Sequence, residues 1–80
     1  MRFQVAIRRR QGLSDPEGVT TLRALRDLGY GEATEVHFGR TITLEIDGDD
    51  VAAATERVTE MCEKLLANPV IEDYEIAVLP

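Results

Sequence analysis

The chain has 80 residues, of which 44% are hydrophobic and 30% charged, with a formal net charge of −6. One domain near the lower size limit of independent folding is expected, because so short a chain hides only about 60% of its unfolded surface. No apolar run is long enough for a membrane span, the acidic balance excludes a nucleic-acid surface, and a single cysteine with a single histidine excludes an internal disulfide and a structural zinc site.

The N-terminal residues alternate instead of forming the apolar core of a signal peptide, so a soluble, cytoplasmic protein with one domain over residues 1–80 is expected. Without a disulfide or metal, oligomerisation is the remaining common route to stability at this size. Charge is unevenly placed: residues 1–40 carry +2 and residues 41–80 carry −8. Arg8, Arg9 and Arg10 form the one dense positive cluster, read either as a solvated strand end or as a docking point for an acidic partner or a phosphate.

Phe3, Val5 and Ile7 alternate with Arg2, Gln4 and Arg8, which predicts a first strand over about residues 2–10 with one buried face. Ser14-Asp15-Pro16-Glu17 then superposes helix-start signals: a capping oxygen, an early proline and a glutamate at capping-box spacing. The helix that follows has Val19, Leu22, Leu25 and Leu28 on one stripe, expected to face the core, and Gly29 stands where a left-handed cap would end it.

From Thr34 to Asp47 the apolar residues Val36, Phe38, Ile42, Leu44 and Ile46 all fall on even positions, so one face stays apolar through Gly39-Arg40. A two-residue turn there would oppose Phe38 to Thr41 and Val36 to Thr43, a poor pairing. Two geometries remain: a three-residue loop with Phe38 opposite Ile42, or one long strand bent by a bulge at Gly39. As a single strand the segment would span roughly 46 Å at about 3.3 Å per residue. A globule of this size has a radius of gyration of only about 12 Å, so the strand would project and need a neighbour, which points to a sheet crossing a dimer boundary.

Asp47-Gly48-Asp49-Asp50 reads as a turn with Asp49 as helix N-cap; it lacks the ligand spacing of a calcium loop. The second helix, about residues 50–67, carries Val51, Ala54, Val58, Met61, Cys62, Leu65 and Leu66, which makes Cys62 a buried, unreactive thiol. Asn68-Pro69 stops it, and residues 70–80 alternate acids with Tyr74, Ile76 and Val78 as a final strand with an acidic outer face. The order β-α-β(β)-α-β predicts a two-layer α+β fold of ferredoxin-like plan, an antiparallel sheet with two helices on one face.

No catalytic constellation is visible. There is no glycine-rich phosphate loop or nucleophile elbow, His37 stands alone at an odd position facing away from Val36 and Phe38, and no apolar pocket is evident around Glu72, Asp73 and Glu75. The stretches Gly12-Leu13-Ser14-Asp15-Pro16-Glu17-Gly18, Leu28-Gly29-Tyr30 and Gly39-Arg40 resemble the PurS family, and so, above all, does the block from Glu60 to Glu75. The resemblance covers nearly the whole chain, although Arg8-Arg9-Arg10 is more basic than the family pattern.

The resemblance implies a non-catalytic small subunit of phosphoribosylformylglycinamidine synthase, which converts formylglycinamide ribonucleotide, glutamine, ATP and water to the amidine, glutamate, ADP and phosphate. It implies a homodimer, or a higher oligomer built from it, that bridges a PurQ glutaminase and a PurL synthetase. It also implies that no cofactor is bound by this subunit, ATP and Mg serving the complex, and that no nucleic acid or membrane is a partner. Carried over residue by residue, Asp15, Pro16, Gly18, Gly29, Asn68 and Pro69 are structural. Arg8, Arg9, Arg10, His37 and Arg40 are expected to contact partners, on exposure and charge. The other readings are an ACT-type amino-acid-sensing dimer, whose loop Asp15-Pro16-Glu17-Gly18 superficially resembles but whose residue order it departs from, and a plain structural dimer.

Overall fold

In the computed structural model, which describes residues 1–80, the elements in chain order are β1 (Arg2–Arg9), α1 (Pro16–Asp27), β2 (Gly39–Glu45), α2 (Val51–Met61) and β3 (Glu72–Leu79). The α+β architecture read from the sequence is present, with a three-stranded antiparallel sheet in the order β2-β1-β3 and two helices. Period two in all three strands brings their apolar residues into rows across the sheet: Leu44, Phe3 and Val78, then Ile42, Val5 and Ile76. Ala54 and Val58 on α2 and Cys62 just beyond its end, four residues apart, close over these rows, and Phe3, Val5, Val58 and Cys62 are fully buried. The opposite face carries Gln4, Ala6, Thr41, Thr43 and Ala77 between the Arg2–Glu45 and Arg8–Glu75 ion pairs.

The hairpin at Gly39 is absent. Residues 39–45 pair in unbroken register with β1, from Arg8 opposite Gly39 to Arg2 opposite Glu45, so there is no bulge in the pairing either. Gly39 serves close approach: a Cβ there would lie 2.5 Å from the Ile7 carbonyl oxygen. Residues 33–38 run on past the end of the sheet without a strand partner, and α1 goes with them. The molecule measures 50 × 28 × 14 Å with a radius of gyration of 16.2 Å. A compact globule of this length would have about 12 Å.

The stripe of α1, expected to be buried throughout, is therefore only partly so: Leu22 and Leu25 are half-buried, while Val19 and Leu28 are 58% and 74% exposed. The helix lies against residues 33–38 and lacks a wide apolar surface beneath it. Gly29, at φ 103°, ends it. At α2 the N-cap is Asp50, whose carboxylate accepts from the Ala53 N–H at 3.1 Å; the expected Asp49 is spent on the turn around Gly48. Beyond Met61 the helix loosens into a π-helical turn, Cys62–Leu66, and stops before Asn68-Pro69. The Asn68 carbonyl then accepts from Ile71 and Glu72 and the chain turns into β3. No helix is long and apolar enough to cross a membrane.

Candidate partner-binding site

The five sequence-predicted contact residues converge at one end of the sheet, where β1 ends, α1 begins and β2 begins. Two adjoining clefts lie there, of about 470 Å³ and about 230 Å³, sharing Arg8, Arg9, Asp15 and Phe38. The larger takes in Arg10 and His37, and the smaller takes in Arg40 and Glu72. Arg9 stands opposite Glu72 on the helix-covered face, while Arg8 stands opposite Asp73 on the other.

The cations differ in what they are free to do. Arg40 donates to both Glu72 carboxylate oxygens, at 2.6 and 3.0 Å, and to the Leu66 carbonyl at 2.8 Å, tying the start of β2 to the end of α2 and the start of β3. This intrachain clasp is the role the structure gives Arg40, expected from the sequence as a partner contact. Arg8 pairs with Glu75 at 3.4 Å, and Arg10 pairs with Asp73 at 3.3 Å and donates to the Pro69 carbonyl. Arg9 is exposed and has no ion pair or side-chain hydrogen bond in the chain. His37 is 72% exposed, with Nε2 3.4 Å from Glu35 and Nδ1 3.9 Å from Asp15.

Asp15, expected as a structural residue at the helix start, and Glu72, which the sequence did not single out as an anchor, both fix the site. The Asp15 side chain is 11% exposed and accepts from the Gly18 N–H at 3.0 Å and the Phe38 N–H at 2.9 Å, joining α1 to the extension. The Phe38 N–H first, and then the Gly18 N–H, hold its carboxyl below the ordinary value. Glu72, 12% exposed, is held low by Arg40 and by the Asn68 N–H at 2.8 Å. Its even position, shared with Tyr74, Ile76 and Val78, was the available signal that it faces the core and not the acidic outer side. Burial pushes the Cys62 thiol up, which keeps it protonated.

Both carboxyls have folded-state pKa values below their unfolded ones, about 3.9 for Asp and 4.3 for Glu. Their contribution to stability is present above those values and is lost as pH falls through the folded-state ones. Melting temperature is therefore expected to fall below about pH 4 in the native chain. In Asp15→Asn the fall should be shallower from a lower starting point, because the amide offers one acceptor to two N–H donors. A melting series in acid, with both proteins falling in parallel, would remove Asp15 from this role.

Chemically the clefts are suited to recognition. No group of three or more His, Cys, Asp or Glu side chains is placed to hold a metal ion. Nor is the Asp15-Pro16-Glu17-Gly18 turn open as an amino-acid sensor would need: Asp15 is occupied by two backbone donors, and the Val36 carbonyl oxygen lies 2.0 Å from where a Gly18 Cβ would be.

Residues 2–80 match the family model PurS, described as phosphoribosylformylglycinamidine (FGAM) synthase. The chain is 46% identical over 74 residues to the PurS subunit of that synthase from Methanocaldococcus jannaschii, covering 92% of this chain and 89% of the relative. It is 38% identical over 77 residues to the Bacillus subtilis subunit, covering 96% and 90%. Among solved structures, Bacillus subtilis PurS superposes with a TM-score of 0.87 at 37% identity, over 99% of this chain and 98% of that one. A chain of the PurLQS structure from Thermotoga maritima does so with a TM-score of 0.85 at 36% identity, over 99% of each. With sequence, fold and near full-length coverage agreeing, the chain belongs to the PurS family of phosphoribosylformylglycinamidine synthase.

Proposed function

We propose that this chain is the non-catalytic small subunit of a cytoplasmic phosphoribosylformylglycinamidine synthase, joining a PurQ glutaminase to a PurL synthetase in purine biosynthesis. The observation that carries this reading is the superposition of nearly the whole chain on one chain of a PurLQS structure. Ammonia released at one active site and consumed at another is diluted and protonated if it enters bulk water, so a subunit that seals the two together contributes by enclosure. The subunit binds no cofactor of its own, and ATP and Mg act within the synthetase.

The test is synthase activity of the PurL and PurQ proteins of the same cell, with and without this chain. Glutamine-dependent turnover should require it, while ammonia-dependent turnover should not. If neither rate responds, the reading fails.

Arg9 is the contact residue left uncommitted, so it is assigned to the partner-facing surface. Arg9→Glu should slow association with the partner subunits about tenfold at low salt, with a smaller effect at high salt, since rim charges act mainly on encounter rate. Stopped-flow or biosensor association rates at two ionic strengths check this, and an unchanged rate would place the docking face elsewhere.

A further inference from the structure

The turn between β2 and α2 contains the pair Asp47-Gly48, and both residues are exposed. A backbone nitrogen attacks the carboxyl carbon of the aspartate before it when no side chain shields the nitrogen, no hydrogen bond holds its N–H and the backbone can rotate. Gly48 meets these conditions. Its N–H donates to no group in the chain, and a Cβ built on it would meet nothing within 4 Å. Its φ of 111° lies where glycine moves freely and other residues do not. The Asp47 carboxylate is in no ion pair within the chain.

Elsewhere the same attack is blocked. Of the six aspartates and one asparagine, Asp15 and Asn68 precede proline, which has no N–H. Asp27 ends α1, and the N–H that follows it, of Leu28, donates to the Ala24 carbonyl at 3.0 Å. Asp73 is fixed in β3 by the sheet and paired with Arg10. Asp49 and Asp50 are followed by residues whose side chains shield the nitrogen, and the Asp50 carboxylate is engaged by the Ala53 N–H.

We propose that Asp47-Gly48 is a modification site, at which the folded chain converts aspartate to isoaspartate. The Gly48 nitrogen bonds to the side-chain carboxyl carbon of Asp47, and one carboxyl oxygen leaves as water, taking the N–H proton and the carboxyl proton. The product is a cyclic imide. Water then opens one of its two C–N bonds. Opening at the side-chain carbonyl restores aspartate, whereas opening at the former backbone carbonyl routes the chain through the side-chain carbons and leaves that carbonyl as a free carboxylate. The reaction is self-contained, and net charge is unchanged.

The added backbone carbon falls where the chain has no slack. On one side of the turn Met1 and Ile46 exchange both backbone hydrogen bonds, at 2.8 Å each. On the other, Asp50 starts α2: its carboxylate accepts from the Ala53 N–H at 3.1 Å and its carbonyl from the Ala54 N–H at 3.0 Å. Only residues 47–49 lie between these anchors. When they lengthen, the exposed side-chain cap yields before the paired backbone bonds at the end of the sheet. Ala54 and Val58 lie beyond that cap on the same helix, so the change loosens the cover over Phe3 and Val5.

The test is to incubate the full-length chain for weeks at neutral pH and physiological temperature and then digest it with trypsin, which releases residues 41–57 as one peptide. Two forms of this peptide should separate with equal mass, the new one resisting an aspartate-specific protease at position 47. A methyltransferase specific for isoaspartyl carboxylates should label this peptide and no other. Asp47→Glu, whose longer side chain would have to close a larger ring, should give neither signal. Absence of the second form overturns the proposal, as does label on a peptide holding Asp27 or Asp73. A rate in the native chain far below that of the urea-denatured chain also overturns it, because the fold would then be holding the Gly48 N–H shut. The separated isoaspartate form should melt about 4–8 °C lower, the loss of one helix cap in a domain of this size. An equal melting temperature overturns the link to the cap.

Discussion

Replacing Gly18 with alanine should detach the first helix from the rest of the molecule, although helix propensity alone predicts a gain of roughly 1 kcal/mol from that change. The reason is local. A Cβ at position 18 would stand 2.0 Å from the Val36 carbonyl oxygen and 2.9 Å from the Asp15 carboxylate, and both of those groups are held in place, one by the backbone and the other by its hydrogen bonds to Gly18 and Phe38. Neither can give way without breaking the contact between α1 and residues 33–38. Overpacking of this kind costs about 1–3 kcal/mol. That corresponds to a melting temperature lower by about 4–8 °C per kcal/mol for a domain of this size. Calorimetry of Gly18→Ala should show the loss, and an unchanged or raised melting temperature would mean that the helix does not sit where the structure places it.

Glu72→Ala should cost about 2 kcal/mol, a comparable loss of stability, by opening the clasp at the other side of the cleft. The Arg40 guanidinium loses its bidentate acceptor and the Asn68 N–H loses its oxygen, so the start of β3 and the end of α2 are released together. Part of that figure belongs to the Asn68 contact: Arg40 is half-exposed, and solvent reduces the ion pair itself to about 1 kcal/mol. A double-mutant cycle with Arg40→Ala separates the two, and a coupling near zero would show that the pair is ornamental. Arg40→Lys should not restore stability, because an ammonium cannot donate to both carboxylate oxygens and to the Leu66 carbonyl in one planar geometry.

Much of the fold is legible in the sequence because strand parity and helix punctuation are local signals. Phe3, Val5 and Ile7 announce β1, Pro16 and Gly29 bracket α1, and Asn68-Pro69 ends the π-helical turn that continues α2, all within a residue or two of the observed bounds. The missing hairpin at Gly39 was not decidable locally, because an even apolar pattern suits a three-residue loop as well as a straight strand. What decides it is the register of residues 39–45 against β1, a contact between distant parts of the chain.

The site divides along the same line. Charge and exposure picked out Arg8, Arg9, Arg10, His37 and Arg40, which the fold brings to one end of the sheet, but they could not separate the free Arg9 from the clasped Arg40. Parity does not do so either, since Arg9, Arg40 and Glu72 all fall on the helix-covered face; the choice of Arg40 as the partner of Glu72 is made by a contact between residues 32 apart. The bond from Phe38 to Asp15 had no local signal, since its partners are 23 residues apart and in different kinds of structure.

The central place of β1 has a consequence for how the chain acquires its structure. Arg2 is paired with Leu79 on one side and with Glu45 on the other, so β1 needs partners that come much later in the chain. Sheet formation is therefore governed by closure of long loops, and such non-local topologies fold slowly for their size. Until then the nascent β1 carries Phe3, Val5 and Ile7 without a cover, and the arginines that follow them at positions 8, 9 and 10 act as gatekeepers, keeping a newborn apolar strand from joining the wrong neighbour.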